Sequence, residues 1–349
     1  VTSNLAAAAT SVELHLHLEG ALNAALARTL HEATPGLPPP PKGAIVEGSG
    51  GVQWGFDDLG GFLRCFGWAT HLLRGPEVYV RIFDELAVSL RAQGVVYAEV
   101  FVAFGQMLRA EVDPEPVLRR LGSRAAEIEG EGGPSVWFIA DVTRQWGVAA
   151  ADKALDAALD LLDHRIVGFG MGGDERAERA RAFGKVFRRA KAAGLGLCCH
   201  AGEGTDPDAV REAVEALGLT RVGHGVAAVA DARLLRELRD ERITLEVCPT
   251  SNECTGVWDP RAGEHPLARL EAAGVPVVLG SDDPAFFKTS LRAEVERARQ
   301  WGFSEAQLSK WAANGWDAAF GEAAGISRER VDWPAAGADP QKPARSRES

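Results

Sequence analysis

No uninterrupted apolar stretch in this chain is long enough to cross a bilayer, and its opening segment, VTSNLAAAATS, has neither a basic start nor a long apolar core. Neither a membrane span nor a secretory signal is therefore expected, which leaves a soluble, cytoplasmic protein. Cysteine is scarce, with five in 349 residues. Cys198 and Cys199 are adjacent on one expected strand and point to opposite faces, which suits reduced core thiols and not a disulfide framework. Cys248 and Cys254 flank Pro249-Thr250-Ser251-Asn252-Glu253, too far apart for a C-x-x-C knuckle, and read as packing residues. Blocks of Lys or Arg are also missing. With a net charge of −11 and a pI near 5.3, broad phosphate-backbone binding is excluded, although a base-sized ligand is not. Hydrophobic residues make up 46% of the chain, enough to bury a large core.

What is present begins with Val12-Glu13-Leu14-His15-Leu16-His17-Leu18-Glu19-Gly20, a His-x-His pair in an alternating apolar run. On a strand, residues two apart share a face, so both imidazoles project together at positions where a branched aliphatic is the usual occupant. Such a pair either binds a metal or faces solvent on an edge strand. Three later segments favour the metal: His200-Ala201-Gly202-Glu203, Gly223-His224-Gly225 and Ser281-Asp282-Asp283-Pro284, each at the end of its own apolar run.

Short β-branched runs at 12–18, 95–103, 135–142, 166–170, 196–200, 221–225, 243–248 and 276–280 read as eight strands. Between them lie segments with helical apolar spacing, such as 79–86, 154–162 and 234–238. Eight βα units suggest a (β/α)8 TIM barrel. A doubly wound open sheet is the alternative, but its glycine-rich phosphate turn is missing after the first strand, where His15-Leu16-His17 stands. A barrel places chemistry at the carboxyl ends of its strands, which is where every polar motif above falls.

One long insertion, 34–70, follows the first strand. Its Pro-rich part, 35–41, reads as a stiff extended loop, and 56–66 as a short helix with an apolar face. Leu59, Phe62, Leu63 and Phe66 would either roof a pocket at the barrel rim or pack on the barrel. The expected boundaries are an extension at 1–11, the barrel at 12–332 with its lid at 34–70, and a poorly ordered Pro-, Ala- and charge-rich tail at 333–349.

Catalytic Zn²⁺ takes three or four nitrogen and oxygen ligands and keeps a position for water. His15, His17, His200 and Asp282 supply such a set, and binding lowers the water pKa to roughly 7. His224 and Asp282 would orient that water and help deprotonate it. Glu203, on the same loop as His200, is placed to donate a proton if burial keeps it protonated. A binuclear site bridged by a modified lysine is not expected, because strand four ends Gly168-Phe169-Gly170-Met171-Gly172-Gly173-Asp174-Glu175 without a lysine. One metal per chain is the expectation, Zn²⁺ with Fe²⁺ as the alternative. Gly173 would let backbone approach a flat ligand closely.

The ordered set H-x-H-L-E-G, G-G-D-E, H-A-G-E, V-G-H-G, C-P-T-S-N and S-D-D-P, across about residues 12 to 325, resembles the adenosine deaminase family of the amidohydrolase superfamily. The resemblance implies hydrolytic deamination at C6 of an adenine ring, with a small aminopurine as substrate. It also implies that Glu203 protonates N1, that Asp283 contacts N7 and that the Gly173 amide contacts N3. The cytidine-type zinc deaminases are excluded, because their H-x-E and P-C-x-x-C pair is missing.

In relatives that act on adenosine, the position of Glu19 is usually Asp and contacts the ribose. Adenine deaminases carry Glu there, as do the 6-aminodeoxyfutalosine deaminases of menaquinone biosynthesis. The segments Ala140-Asp141-Val142-Thr143-Arg144-Gln145-Trp146-Gly147 and Gly168–Glu175 look most like that last group. By that likeness 6-aminodeoxyfutalosine is the expected substrate, with adenosine and adenine as alternatives. Arg144 would pair with the substrate's carboxylate, or else serve as a structural salt-bridge partner. His31, His71, His164 and His265 have no matching partner and read as surface or capping residues. A catalytically silent relative that binds a nucleoside or a protein is the remaining alternative.

Overall fold

The structure, a computed structural model, describes residues 12–48 and 50–322. The expected extension at 1–11, the tail at 333–349 and the last ten residues of the expected barrel lie outside them. Every one of the eight expected barrel strands forms: β1 (Val12–His17), β4 (Tyr97–Val102), β5 (Ser135–Thr143), β6 (Ile166–Gly172), β7 (Gly196–Ala201), β8 (Arg221–His224), β9 (Thr244–Val247) and β10 (Val277–Leu279). They pair in parallel in the order β1-β4-β5-β6-β7-β8-β9-β10. A parallel bridge between Leu16 and Asp282 joins the first strand to the segment after the last. The sheet is a nearly closed (β/α)8 TIM barrel, and the open-sheet alternative falls.

Helices cover the outside because their apolar stripes have nowhere else to go. Pro76–Gln93 and Ala232–Asp240 contain the expected segments 79–86 and 234–238, while Gly147–Leu159 covers 154–159 and ends before Asp160 of the expected 154–162; they bury Ile82, Leu235 and Leu155 among others. None of the described helices is long and apolar enough to cross a membrane.

The two ends of the barrel are built differently. At the amino ends of the strands the Phe320 ring plugs the opening. A Cβ on Gly196 would lie 2.1 Å from that ring and one on Gly168 2.8 Å, so only glycine leaves it room. At the carboxyl ends lies the insertion. It holds a hairpin the sequence did not announce, β2 (Ile45–Gly48) and β3 (Gly51–Trp54), followed by the helix Leu59–Thr70. The Asp58 carboxylate caps that helix by accepting from the Gly61 amide at 2.6 Å, so the helix starts later than the expected 56. Trp54 stacks on Phe286 with ring centroids 4.4 Å apart, and Trp68 donates to the Pro38 carbonyl at 2.8 Å, which pins the Pro-rich loop.

Candidate active site

His15 and His17 end β1, His200 lies near the end of β7, His224 ends β8, and Asp282 and Asp283 follow β10. The barrel therefore gathers onto one rim side chains up to 268 residues apart in sequence, the distance spanned by Ser281 reaching back to Glu13. One ligand atom from each of His15, His17, His200 and Asp282 lies within 4.8 Å of all the others, and all four residues are buried. His17 Nε2 is 3.2 Å from His200 Nε2, and Asp282 Oδ1 is 3.5 Å from His17 Nε2 and 3.7 Å from His15 Nε2.

Two site residues hold left-handed backbone without being glycine, His224 at φ 59° and Asp282 at φ 61°. Such a conformation costs about 1–3 kcal/mol and persists where the surroundings enforce it. For Asp282 the enforcement is visible: its amide donates to the His15 carbonyl at 2.9 Å, and its carbonyl accepts from the His17 amide at 2.8 Å.

A metal suits this cluster on its own chemistry. Burial holds the His17 imidazole down to about 3 and the His200 imidazole well below its ordinary value, so both are in the neutral, ligating form. Burial also works against protonation of His15, but the carboxylates of Asp282 and Glu246 overcome it and push that group up to about 10. Its Nε2 is a buried nitrogen without a hydrogen-bond partner, as an open ligand position requires.

A cleft with about 890 Å³ of free space, open mouth included, lies over the cluster. Its wall includes His17, His200, Glu203, His224, Asp282, Asp283, Gly172 and Gly173, with Phe62, Leu63 and Phe66 of the lid helix above. The Phe66 ring faces His17 with centroids 6.1 Å apart. His224 Nε2 stands between Glu203 Oε2 at 3.7 Å and Asp282 Oδ2 at 3.8 Å, and the Asn252 amide nitrogen is 3.3 Å from its Nδ1. Burial, together with the charges of Asp282 and Glu175, holds the Glu203 carboxyl well above the usual carboxylate range, the direction that favours its protonated form. Burial and the adjacent Asp282 do the same to Asp283.

The adenosine deaminase family model matches residues 11–329. The chain belongs to that family. An adenine deaminase of Mesorhizobium japonicum is 34% identical over 310 residues, covering 88% of this chain and 93% of that protein. An aminodeoxyfutalosine deaminase of Streptomyces coelicolor is also 34% identical over 321 residues, covering 90% and 81%. Among solved structures, an adenine deaminase from Arthrobacter aurescens superposes with a TM-score of 0.81 at 27% identity, covering 92% of this chain and 95% of that one. Members of this family, in the amidohydrolase superfamily, are metal-dependent hydrolytic deaminases acting on C–N bonds, which is the activity the deaminase described here carries.

Several expected site residues of the deaminase stand elsewhere. Arg144 is only 3% exposed and is not on the cleft wall. It donates to the His200 carbonyl at 2.7 Å and the Glu178 carbonyl at 3.4 Å, and lies 3.1 Å from the Cys199 thiol. Its terminal nitrogens are thus engaged with backbone and a thiol, while its buried Nε has no hydrogen-bond partner among the described residues. Leu59 lies beside Gly204, outside the cleft lining. Glu19 is buried, accepts from the Ala103 amide at 3.0 Å through one oxygen and has its other oxygen without a hydrogen-bond partner among the described residues, and burial pushes it up to about 7.

His71, read as a surface or capping residue, caps the C-terminus of the helix Leu59–Thr70, and it also lines the cleft. His265 does cap a helix, accepting from the Leu267 amide at 3.1 Å. Cys254 is exposed and not a packing residue. Cys248 is buried near His224 and Asp282, but burial holds its thiol well above its ordinary value, which makes it a poor metal ligand.

Sequence reasoning missed the support beneath His15. Glu246 on β9 accepts a hydrogen bond from His15 Nδ1 at 2.6 Å and contacts Arg221 Nε at 2.6 Å, an ion pair without a straight hydrogen bond. Arg221 continues to Glu99, which also accepts from Tyr97 at 2.7 Å and from the Phe320 amide at 2.6 Å. Arg221 and Glu246 together hold both partners ionised in the interior: burial opposes it, yet Glu246 stays below the usual carboxylate range. A charged residue in the middle of an apolar parallel strand, as in Thr244-Leu245-Glu246-Val247, was the available signal. Asp141, Gln145, Trp146 and Gln106 on the cleft wall were missed as well.

Proposed function

We propose that this chain hydrolyses a 6-aminopurine, replacing the exocyclic amine at C6 with oxygen and releasing ammonia. The observation that carries this reading is the buried Glu203 carboxyl facing the same cleft as His224, Asp282 and the four-ligand cluster. His15, His17, His200 and Asp282 would hold one divalent metal per chain, Zn²⁺ with Fe²⁺ as the alternative, which when bound would lower the pKa of a water to near neutral.

The residues of the chain do the rest. His224 and Asp282 orient the attacking water and take up its proton, while Glu203 gives its own proton to N1 as C6 becomes tetrahedral. The C6–N bond then breaks, the proton taken from water leaves with the amine as ammonia, the C6 hydroxyl returns a proton to Glu203, and a 6-oxopurine remains. Asp283, neutral through burial, donates to N7, an acceptor that an ionised carboxylate would repel. Gly173, at φ 94°, presents backbone to the ring edge at N3. Phe62 and Phe66 cover the ring and keep bulk water out.

Within this class the favoured substrate is 6-aminodeoxyfutalosine, a 6-aminopurine nucleoside with an aromatic carboxylate on its far side. The aminodeoxyfutalosine deaminase relative supports it, as does a cleft wall that runs past Gly173 to Gln145, Trp146 and His71, giving room for a large substituent. Adenine is the second reading, supported by the adenine deaminase relatives. Adenosine is the third. Steady-state kinetics on the three substrates separates them. A higher kcat/KM for adenine or adenosine would remove the preference and leave the deamination reading standing.

A further inference from the structure

The loop that carries Glu203 is held by Glu175, invoked above only for the charge it brings near the Glu203 carboxyl. After β7, residues 202–205 leave the sheet, so their backbone groups need partners other than a strand. Most of the donors go to a single carboxylate. Glu175 Oε2 accepts from the Gly202 amide at 2.7 Å, and Oε1 from the Glu203 amide at 2.9 Å and the Gly204 amide at 3.3 Å. The Thr205 hydroxyl donates to Oε2 as well. Carbonyls at the end of β7 and on the loop are taken by cations: His200 by Arg144 at 2.7 Å and Gly204 by Arg176 at 2.6 Å.

A carboxylate offers about four lone-pair sites, and four donors from four consecutive residues fill them. No neutral side chain can replace that set. An amide keeps one acceptor oxygen and turns N–H groups toward N–H groups. Among the described residues the ion-pair neighbour of the Glu203 carboxyl is His224 at 3.7 Å, beyond hydrogen-bond reach, so its place in the cleft depends on its backbone.

We propose that Glu175 is the positioning residue for Glu203, and this rests on Glu203 being the acid. General acid catalysis requires the carboxyl within hydrogen-bond reach of the ring nitrogen, and a displacement of about 1 Å can cost roughly 10²-fold in rate. Gly173, on the cleft wall, is two residues before Glu175, and the Asp174 amide between them donates to Gln145 Oε1 at 3.0 Å. One short segment therefore seats the purine edge and holds the acid, so the two are set in register with each other.

The test is a double-mutant cycle on the metal-loaded enzyme with a 6-aminopurine substrate: E175Q, E203Q and the double variant, with E175D as the conservative control. E175Q should lower kcat by roughly 10²-fold while KM and bound metal stay close to wild type. The double variant should be no slower than E203Q alone, since an acid that is absent cannot be misplaced. E175D, which keeps the charge and both oxygens, should recover part of the lost kcat. Wild-type kcat in E175Q, additive losses in the double variant, or loss of metal in both Glu175 variants would each overturn the proposal. Should E203Q itself run at the wild-type rate, the assignment of Glu203 as the acid fails first; a slow E203Q beside a fast E175Q removes only the role of Glu175.

Discussion

Arg144 and His17 show how far single residues could be read from the chain. His15, His17, His200, Asp282, Glu203, His224 and Asp283 were legible because each is costly to bury, so its presence at a strand end needs a reason. Arg144 has the same look but a different cause. Its partner is the His200 carbonyl, and backbone oxygens leave no mark in a sequence. The Glu246–Arg221–Glu99 chain was hidden for a related reason: each acid and base lies on a different strand, and only barrel closure brings them together. Arg144→Ala should therefore lower kcat/KM by a similar factor for adenine, adenosine and 6-aminodeoxyfutalosine, because it disturbs the metal-ligand loop that all three share. Kinetics on the three substrates reads this directly. A loss confined to the carboxylate-bearing substrate would return Arg144 to a substrate-contacting role.

Among the elements, barrel strands were legible from their spacing and the lid only in part. Its helix begins at Leu59 because Asp58 caps it, and the apolar face read from the sequence does divide, with Phe62 and Phe66 over the cleft and Leu59 to one side. The hairpin β2–β3 escaped notice because Ile45, Val46 and Val52 are few and half-exposed, and what fixes it is Trp54 stacking on Phe286, a contact across most of the chain. If the lid helix covers the substrate ring, Phe66→Ala should raise KM by about tenfold, the scale of losing ~1.5 kcal/mol of apolar burial, with kcat changed less. An unchanged KM would mean that Phe66 packs on the protein alone.

At the scale of the whole molecule, one buried chain of charges ties the two barrel ends together. It runs from His15 in the metal cluster through Glu246, Arg221 and Glu99 to the backbone at Phe320, whose ring plugs the far end. Removing one member leaves the others buried without a counter-charge. Arg221→Leu should cost about 3–5 kcal/mol of stability, measured by denaturant unfolding of the metal-free protein. A loss below about 1 kcal/mol would show that water reaches the remaining carboxylates.

The central claim is hydrolytic deamination of a 6-aminopurine at the cluster of His15, His17, His200 and Asp282, and ammonia release measures it most directly. Metal-loaded wild-type protein incubated with adenine, adenosine or 6-aminodeoxyfutalosine should release one ammonia per purine converted, with matching loss of the 6-aminopurine ultraviolet band. Under the same conditions His17→Ala should bind less metal and release none. No ammonia from any of the three with wild-type protein, or full metal content and wild-type release from His17→Ala, would contradict the account.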